Sequence, residues 1–137
     1  MDDMYDLYQE MFLRKALEGR FTVKNKCFYF AEDFLDAVRS QGCDLASISL
    51  NDVSFRDGET DFHKRMSKAV GLIPKAKEAG AKLVFASTTF YTPELAELVR
   101  DVGADSFLRM LFYFEDYKRE LDRCMWPQWP KPLTHKF

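Results

Sequence analysis

Four groups of side chains in this sequence have types and spacing that could do chemistry. Ser87, Thr88, Thr89 and Thr92 lie between an apolar run and a helical one, where the unpaired amides and dipole of a helix N-terminus favour an anion. No glycine-rich turn accompanies them, so a plainer reading gives Thr92 a capping role and the others turn roles. Asp52, Asp57, Glu59 and Asp61 crowd one loop and would bind a hard cation if Asp2 and Asp3 joined them. Their spacing matches no EF-hand loop, and Asp61 as a helix cap with the rest as solvated turn residues also accounts for them. His63 follows early in the next helix without a recognisable Ser or Cys partner, which leaves a hydrolase site without its nucleophile. Cys27, Cys43 and Cys124 are odd in number and form no C-x-x-C pair, and His63 and His135 stand far apart. No structural metal site is expected, and the three thiols are expected to be buried and reduced.

The chain that must position these groups has 137 residues, enough for one domain. About two-thirds of the surface its unfolded form exposes can be buried on folding. Hydrophobic residues make up 47 % and charged residues 31 %, with 13 Phe and 6 Tyr, a composition that excludes disorder and membrane residence. The formal net charge is -2 and the basic residues are scattered among acids, so no stripe marks a nucleic-acid partner. No apolar run approaches the ~20 residues of a membrane span, and the Asp-rich start lacks the features of a signal peptide. A cytoplasmic, aromatic-rich globule is expected.

Hydrophobic spacing then divides the chain into elements. Met4, Leu7, Tyr8, Met11 and Phe12 predict a helix near 3 to 18. "RFTVKNKCFYF" reads either as a tight hairpin or as one strand and a loop. Phe34, Leu35 and Val38 form the stripe of a second helix that ends at Gly42, and "DLASISL" (44 to 50) follows as a strand covered on both faces. From Asp61, the spacing Phe62, Met66, Ala69, Val70, Ile73 is helical, with a kink expected at Pro74. "KLVFAS" is the clearest strand. Thr92 caps the next helix, Pro93 occupies its first position, and Leu95, Leu98, Val99 and Val102 form its buried stripe. Beyond Gly103, "DSFLRM" is a short strand or the start of a helix through Cys124, and the progression before it favours a strand over 106 to 109. The boundaries expected are a single α/β domain over 1 to 125 and an extended Pro/Trp tail over 126 to 137.

Strand and helix alternation of this kind calls for a mostly parallel sheet between two helix layers, the three-layer, flavodoxin-like sandwich, with ligands at the carboxyl ends of the strands. Two families of that architecture are similar. "AEDFLDAVRSQGCDLASISL" and "KEAGAKLVFASTTFYTPELAELVRDVGADSF" resemble the cobalamin-binding domain of corrinoid proteins, with its acidic helix, its Ser-x-Leu strand end, its Thr-Pro-Glu helix and its Gly-Ala-Asp step. "DMYDLYQ" lies where that family writes D-x-H-x-x-G. By this resemblance the cofactor positions are Tyr5, Ser49, Asn51, Ser87, Thr88 and Thr89. The cobalt-binding histidine falls on Tyr5, the motif glycine on Tyr8, and the Gly-Gly pair on Ala86-Ser87, so the resemblance implies a site that has lost its cofactor.

The acidic pair, the strand-end threonine and the "GADSFL" step also resemble the receiver domain of response regulators. That resemblance places Asp2 and Asp3 at the Mg²⁺-holding acidic pair and Thr88 at the hydroxyl that senses the phosphoryl group. Ser49 falls where the phospho-accepting aspartate belongs and Met110 where the lysine belongs, so the phosphotransfer chemistry loses its acceptor and its charge clamp, and Asp52 serves only if the loop is shifted by a few residues. In both families a central strand precedes the acidic motif, whereas Met1 here stands directly on it. Either the 21 to 30 region replaces that strand, or the fold differs, or a partner completes the sheet.

Phe112, Phe114 and Tyr117 read as core, and Trp126 and Trp129 with the neighbouring prolines either clamp a helix of their own domain or dock on a partner. The expectation is a non-catalytic module, adaptor or inhibitor, that binds another protein and holds no cofactor. A homodimer is one form this could take. The alternative is a domain that binds a corrinoid, nucleotide or phosphorylated metabolite at residues 49 to 52 and 86 to 92.

Overall fold

The computed structural model describes residues 11, 15, 26–110 and 112–125. The chain divides into two compact units, one of Met1 with Cys27–Leu111 and the other of Asp2–Lys26 with Phe112–Phe137.

In the first unit the order is α1 (Ala31–Gln41), β1 (Cys43–Ser49), α2 (Phe62–Ala79), β2 (Ala81–Thr88), α3 (Pro93–Asp101) and β3 (Ser106–Arg109). Each boundary has a local cause. Asp61 caps α2 by accepting from the amides of His63 and Lys64, and Thr92 caps α3 by accepting from Leu95 at 3.1 Å with Pro93 behind it. Gly42 ends α1 at φ 74°, donating to the Val38 carbonyl, a conformation that side-chain-bearing residues rarely adopt. α2 runs as one helix of 18 residues with Pro74 inside it.

The three described strands are all parallel, in the order β1-β2-β3. The register pairs Ala46 with Val84, Ile48 with Ala86, and Ala86 with Phe107, so these side chains share one face. Residues of α1, α2 and α3 pack into one core with these strand residues. There Ala46, Ile48, Val84 and Ala86 join Leu35, Val38, Ala69, Val70, Ile73, Ala76 and Val99 in a single apolar core. Ile73, Val84 and Val99 are completely buried, each contributing roughly 1.5–3 kcal/mol. On the opposite face Leu83, Phe85 and Leu108 are buried too, which makes β2 buried over nearly its whole length.

The Gly-Ala-Asp step that leads into β3 has a specific function in this packing. Gly103 takes φ 107°. Asp105 then pairs with Val84 twice, donating its amide to the Val84 carbonyl at 2.8 Å and accepting the Val84 amide on Oδ2 at 2.8 Å. Lys77 of α2 reaches the same oxygen at 2.6 Å, so one carboxylate ties α2, β2 and β3 together.

Several expectations need correction. β1 is covered well on one face only: Ala46 and Ile48 are buried, Leu45 is half-buried and Ser47 is exposed, and the strand covered on both faces is β2. Among the described part of the 21 to 30 region, only Phe30 bridges, and it does so to Ser54 in the loop after β1, so these residues add no strand to the sheet. Residues 21–25 lie outside the described residues. Phe62 and Leu98, placed on buried stripes by their spacing, are 45 % and 49 % exposed, while Ala96 occupies the buried face of α3. Phe62 is the first residue of α2 and meets Phe90 instead of the core. No disulfide joins the cysteines, but Cys27 is exposed and Cys43 half-buried, with only Cys124 buried as expected. Burial pushes the Cys43 thiol up, Asp44 adding to the effect, and outweighs the Leu45 amide that favours a thiolate.

In the second unit α4 (Phe114–Met125) buries Tyr117, Leu121 and Cys124 along one stripe. Phe112 stacks on Tyr117 at 5.6 Å, and the Lys15 ammonium sits over the Phe114 ring at 4.6 Å. "DSFLRM" is therefore a strand over 106–109, and the helix begins five residues later. The expected tail, 126 to 137, lies outside the described residues.

Candidate functional site

The carboxyl ends of the three parallel strands bring residues 49–52, 87–91 and 110 together. The Leu50 amide continues β1 onto the Ser87 carbonyl at 2.9 Å, and the Met110 amide continues β3 onto the Thr88 carbonyl at 2.9 Å. This extension of the ladder sets the side chains of Ser49, Thr88 and Met110 at one edge.

Their polar atoms are turned toward one another. Ser49 Oγ donates to Asp52 Oδ2 at 2.8 Å and lies 3.8 Å from the Met110 sulfur, a weaker acceptor for the same proton. Asn51 bridges the two loops: its Nδ2 donates to Asp52 Oδ1 at 3.3 Å and its Oδ1 accepts the Thr89 amide at 3.1 Å. Thr88 is fully buried and its hydroxyl accepts the Phe90 amide at 3.0 Å, closing the turn after β2. Ser87 is buried as well. The edge is thus a closed hydrogen-bonded seam in which a hydroxyl, a carboxylate and a carboxamide hold two loops in register.

Ser49, Asn51, Ser87, Thr88 and Thr89 are brought to this edge together, as expected for residues at the strand ends. Tyr5, Asp2, Asp3, Trp126 and Trp129 lie outside the described residues. Asp52, read from sequence as one of an acidic cluster, instead serves Ser49, and the rest of that loop separates into turn contacts. Asp57 Oδ1 accepts the Glu59 amide at 3.0 Å, Glu59 Oε2 accepts the Asp61 amide at 3.3 Å, and Asp57 also pairs with Lys68. This hydrogen bond from Lys68, then that from the Glu59 amide, hold the Asp57 carboxyl below its usual range. Among the described residues no three His, Cys, Asp or Glu side chains converge as metal ligands. His63 is exposed, its ring edge-on to Phe62 at 5.6 Å.

Sequence reasoning missed an aromatic array beside the seam. Phe62 and Phe90 meet edge to face at 5.0 Å, and Tyr91 stacks on Phe107 at 5.1 Å. Phe62, Phe90 and Tyr91 are nonetheless 45 %, 53 % and 41 % exposed. The signal available was Phe90-Tyr91 itself, two successive aromatics in the short stretch between a strand end and a helix cap, where no core position is at hand for both.

The backbone is similar to the crystal structure of a response regulator protein from Burkholderia pseudomallei with a phosphorylated aspartic acid, calcium ion and citrate, at TM-score 0.56 and 11 % sequence identity, over 91 % of this chain and 70 % of that one. No protein-family model and no curated protein matches the chain. The fold is accordingly α/β and flavodoxin-like, of the receiver kind. No described helix is long and apolar enough to cross a membrane.

Proposed function

We propose that the chain is a non-catalytic regulatory module, an adaptor or inhibitor that works by binding another protein, on a receiver-like scaffold whose phosphoryl chemistry has been replaced by structure. The observation that carries this reading is the Ser49–Asp52–Met110 arrangement. Phosphoryl transfer to a strand-end acceptor needs a carboxylate nucleophile at that end and a cation to neutralise the charge that develops. Position 49 offers a hydroxyl already donating to Asp52, and position 110 offers an uncharged thioether. The Thr88 hydroxyl, which would have to reach toward a phosphoryl group, belongs to a fully buried side chain and accepts the Phe90 amide. Exposed, pre-arranged aromatic rings beside the seam favour a binding surface over a reaction centre.

Thermal melting in the presence of added small molecules tests this reading. A protein whose melting temperature is unmoved by beryllium fluoride with Mg²⁺, by nucleotides, by inorganic phosphate and by cobalamins fits a binding module. A concentration-dependent rise with any of them, or a coloured protein retaining a corrinoid, supports a small-ligand site at 49 to 52 and 86 to 92 in its place.

A further inference from the structure

We infer that this chain pairs with a second copy of itself, α3 of each copy lying along α2 of the other. The inference rests on the protein-binding reading and names one partner for it.

α3 turns a single stripe to solvent. At 3.6 residues per turn, Glu94, Glu97, Leu98 and Asp101 fall within an arc of about 100°, opposite the buried Ala96 and Val99. All four are exposed, Leu98 to 49 %. The three carboxylates form no ion pair among the described residues. Arg100 lies on the flank, outside this stripe.

α2 presents a stripe of opposite sign. Lys64, Lys68, Gly71 and Lys75 recur at i, i+4, i+7 and i+11, on the side away from the buried Ala69, Ile73 and Ala76. Lys68 is taken up by Asp57, whereas Lys64 and Lys75 are exposed and form no ion pair among the described residues. Between those two lysines Gly71 leaves open space, since a Cβ placed there would meet nothing within 4 Å.

The two stripes fit each other. With Leu98 set on Gly71 and the helices parallel, Lys75 comes opposite Asp101 and Lys64 comes within a turn of Glu94. At about 1.5 Å per residue the two lysines stand about 16 Å apart and the two acids about 10 Å, a difference that flexible lysine side chains take up. Glu78, on the same side of α2, falls beyond the end of α3 in this alignment.

A two-fold axis supplies the parallel alignment. α2 links β1 to β2 and α3 links β2 to β3, and the strands are parallel, so both helices run back against the sheet and point the same way. Ile73 and Val99 share one core, and Phe62 at the start of α2 meets Phe90 just before α3, so the two helices start near each other. An axis between the helices and along them lays each α3 on the other copy's α2, in two equivalent contacts that close the dimer.

The experiment measures the molar mass of the full chain by light scattering across a dilution series, at low salt and at about 1 M salt. The expected result is a monomer–dimer equilibrium whose dissociation constant rises at least about tenfold in high salt. Lys75→Glu and Asp101→Lys should each weaken the dimer at least about tenfold, and the two combined should restore it, because the facing charges are then only exchanged. Gly71→Leu fills the space that receives Leu98 and should weaken the dimer as much, while the diluted monomer melts no lower than the parent because Gly is a poor helix former. A monomer at every concentration overturns the proposal. So does a dimer indifferent to salt and to the substitutions, which assigns another face, or a double variant that fails to restore the dimer. A melting response to beryllium fluoride or to cobalamins would sink the binding-module reading and leave the dimer result standing, whereas a monomer indifferent to them would sink the dimer alone, so the two failures are distinguishable.

Discussion

Replacing Ser49 by Asp restores the acceptor type of a receiver but, in this seam, sets two carboxylates against each other. Ser49 Oγ lies 2.8 Å from Asp52 Oδ2, so a carboxylate at position 49 comes within about 4 Å of the Asp52 carboxylate. Two like charges at that distance repel by about 1 kcal/mol in water and about 4 kcal/mol at the effective dielectric of a protein surface. Both residues are half-buried, so a cost of roughly 1–3 kcal/mol is expected at pH 7, a fall of about 3–10 °C in Tm for a chain of this length. Ser49→Asn is the control, because it has the same shape, keeps a donor for Asp52 and adds no charge. Repulsion raises the folded-state pKa of one carboxylate above its unfolded value. The penalty is therefore present above that raised pKa and disappears as pH falls through it toward ~4. The assay is thermal melting of the three proteins from pH 7 to pH 4, with and without Mg²⁺. Equal melting of the Asp and Asn variants at pH 7 would refute the claim that Asp52 is the partner of Ser49 in this seam.

Three further outcomes follow from the packing. Asp105→Ala should destabilise by about 2 kcal/mol in urea unfolding, since the Val84 amide loses a charge-assisted acceptor while the half-exposed Lys77 pair adds little; Asp105→Asn, which keeps an acceptor, should cost less. Thr92→Ala should cost about 1 kcal/mol through loss of the α3 cap, with Thr92→Ser close to the parent. Asp57 is held below its ordinary value of 3.8 chiefly by the Lys68 hydrogen bond, so its contribution is present above that value and is lost as pH falls through the folded pKa. The acid limb of Tm against pH should be shallower in Asp57→Asn, and an unchanged limb would show that the pair does not hold in solution.

Much of this architecture is legible in the residues because separate physical causes agree at each boundary. Thr92 and Pro93 start α3, Asp61 starts α2, and Gly42 and Gly103 supply positive φ where the chain must turn. What periodicity cannot reveal is which end of an apolar stripe runs past the sheet. Phe62 and Leu98 have the right spacing for a core, yet both are about half exposed, Phe62 at the very start of its helix. Likewise "DLASISL" reads as a strand buried on both faces, but the choice between β1 and β2 for that position depends on pairing order, which is non-local. At the site, the strand-end residues were recognisable from alternation. The role of Asp52 was not, because an acid three residues after Ser49 reads equally as a solvated turn until the loop geometry aims it back.

The claim that the strand-end seam is structural and not a phosphoryl acceptor is tested most directly by intact-protein mass spectrometry after incubation with acetyl phosphate and Mg²⁺. The account predicts a single species at the mass of the unmodified chain, at every donor concentration and time. A stoichiometric gain of one phosphoryl group, lost in Asp52→Asn or Ser49→Ala, would contradict it.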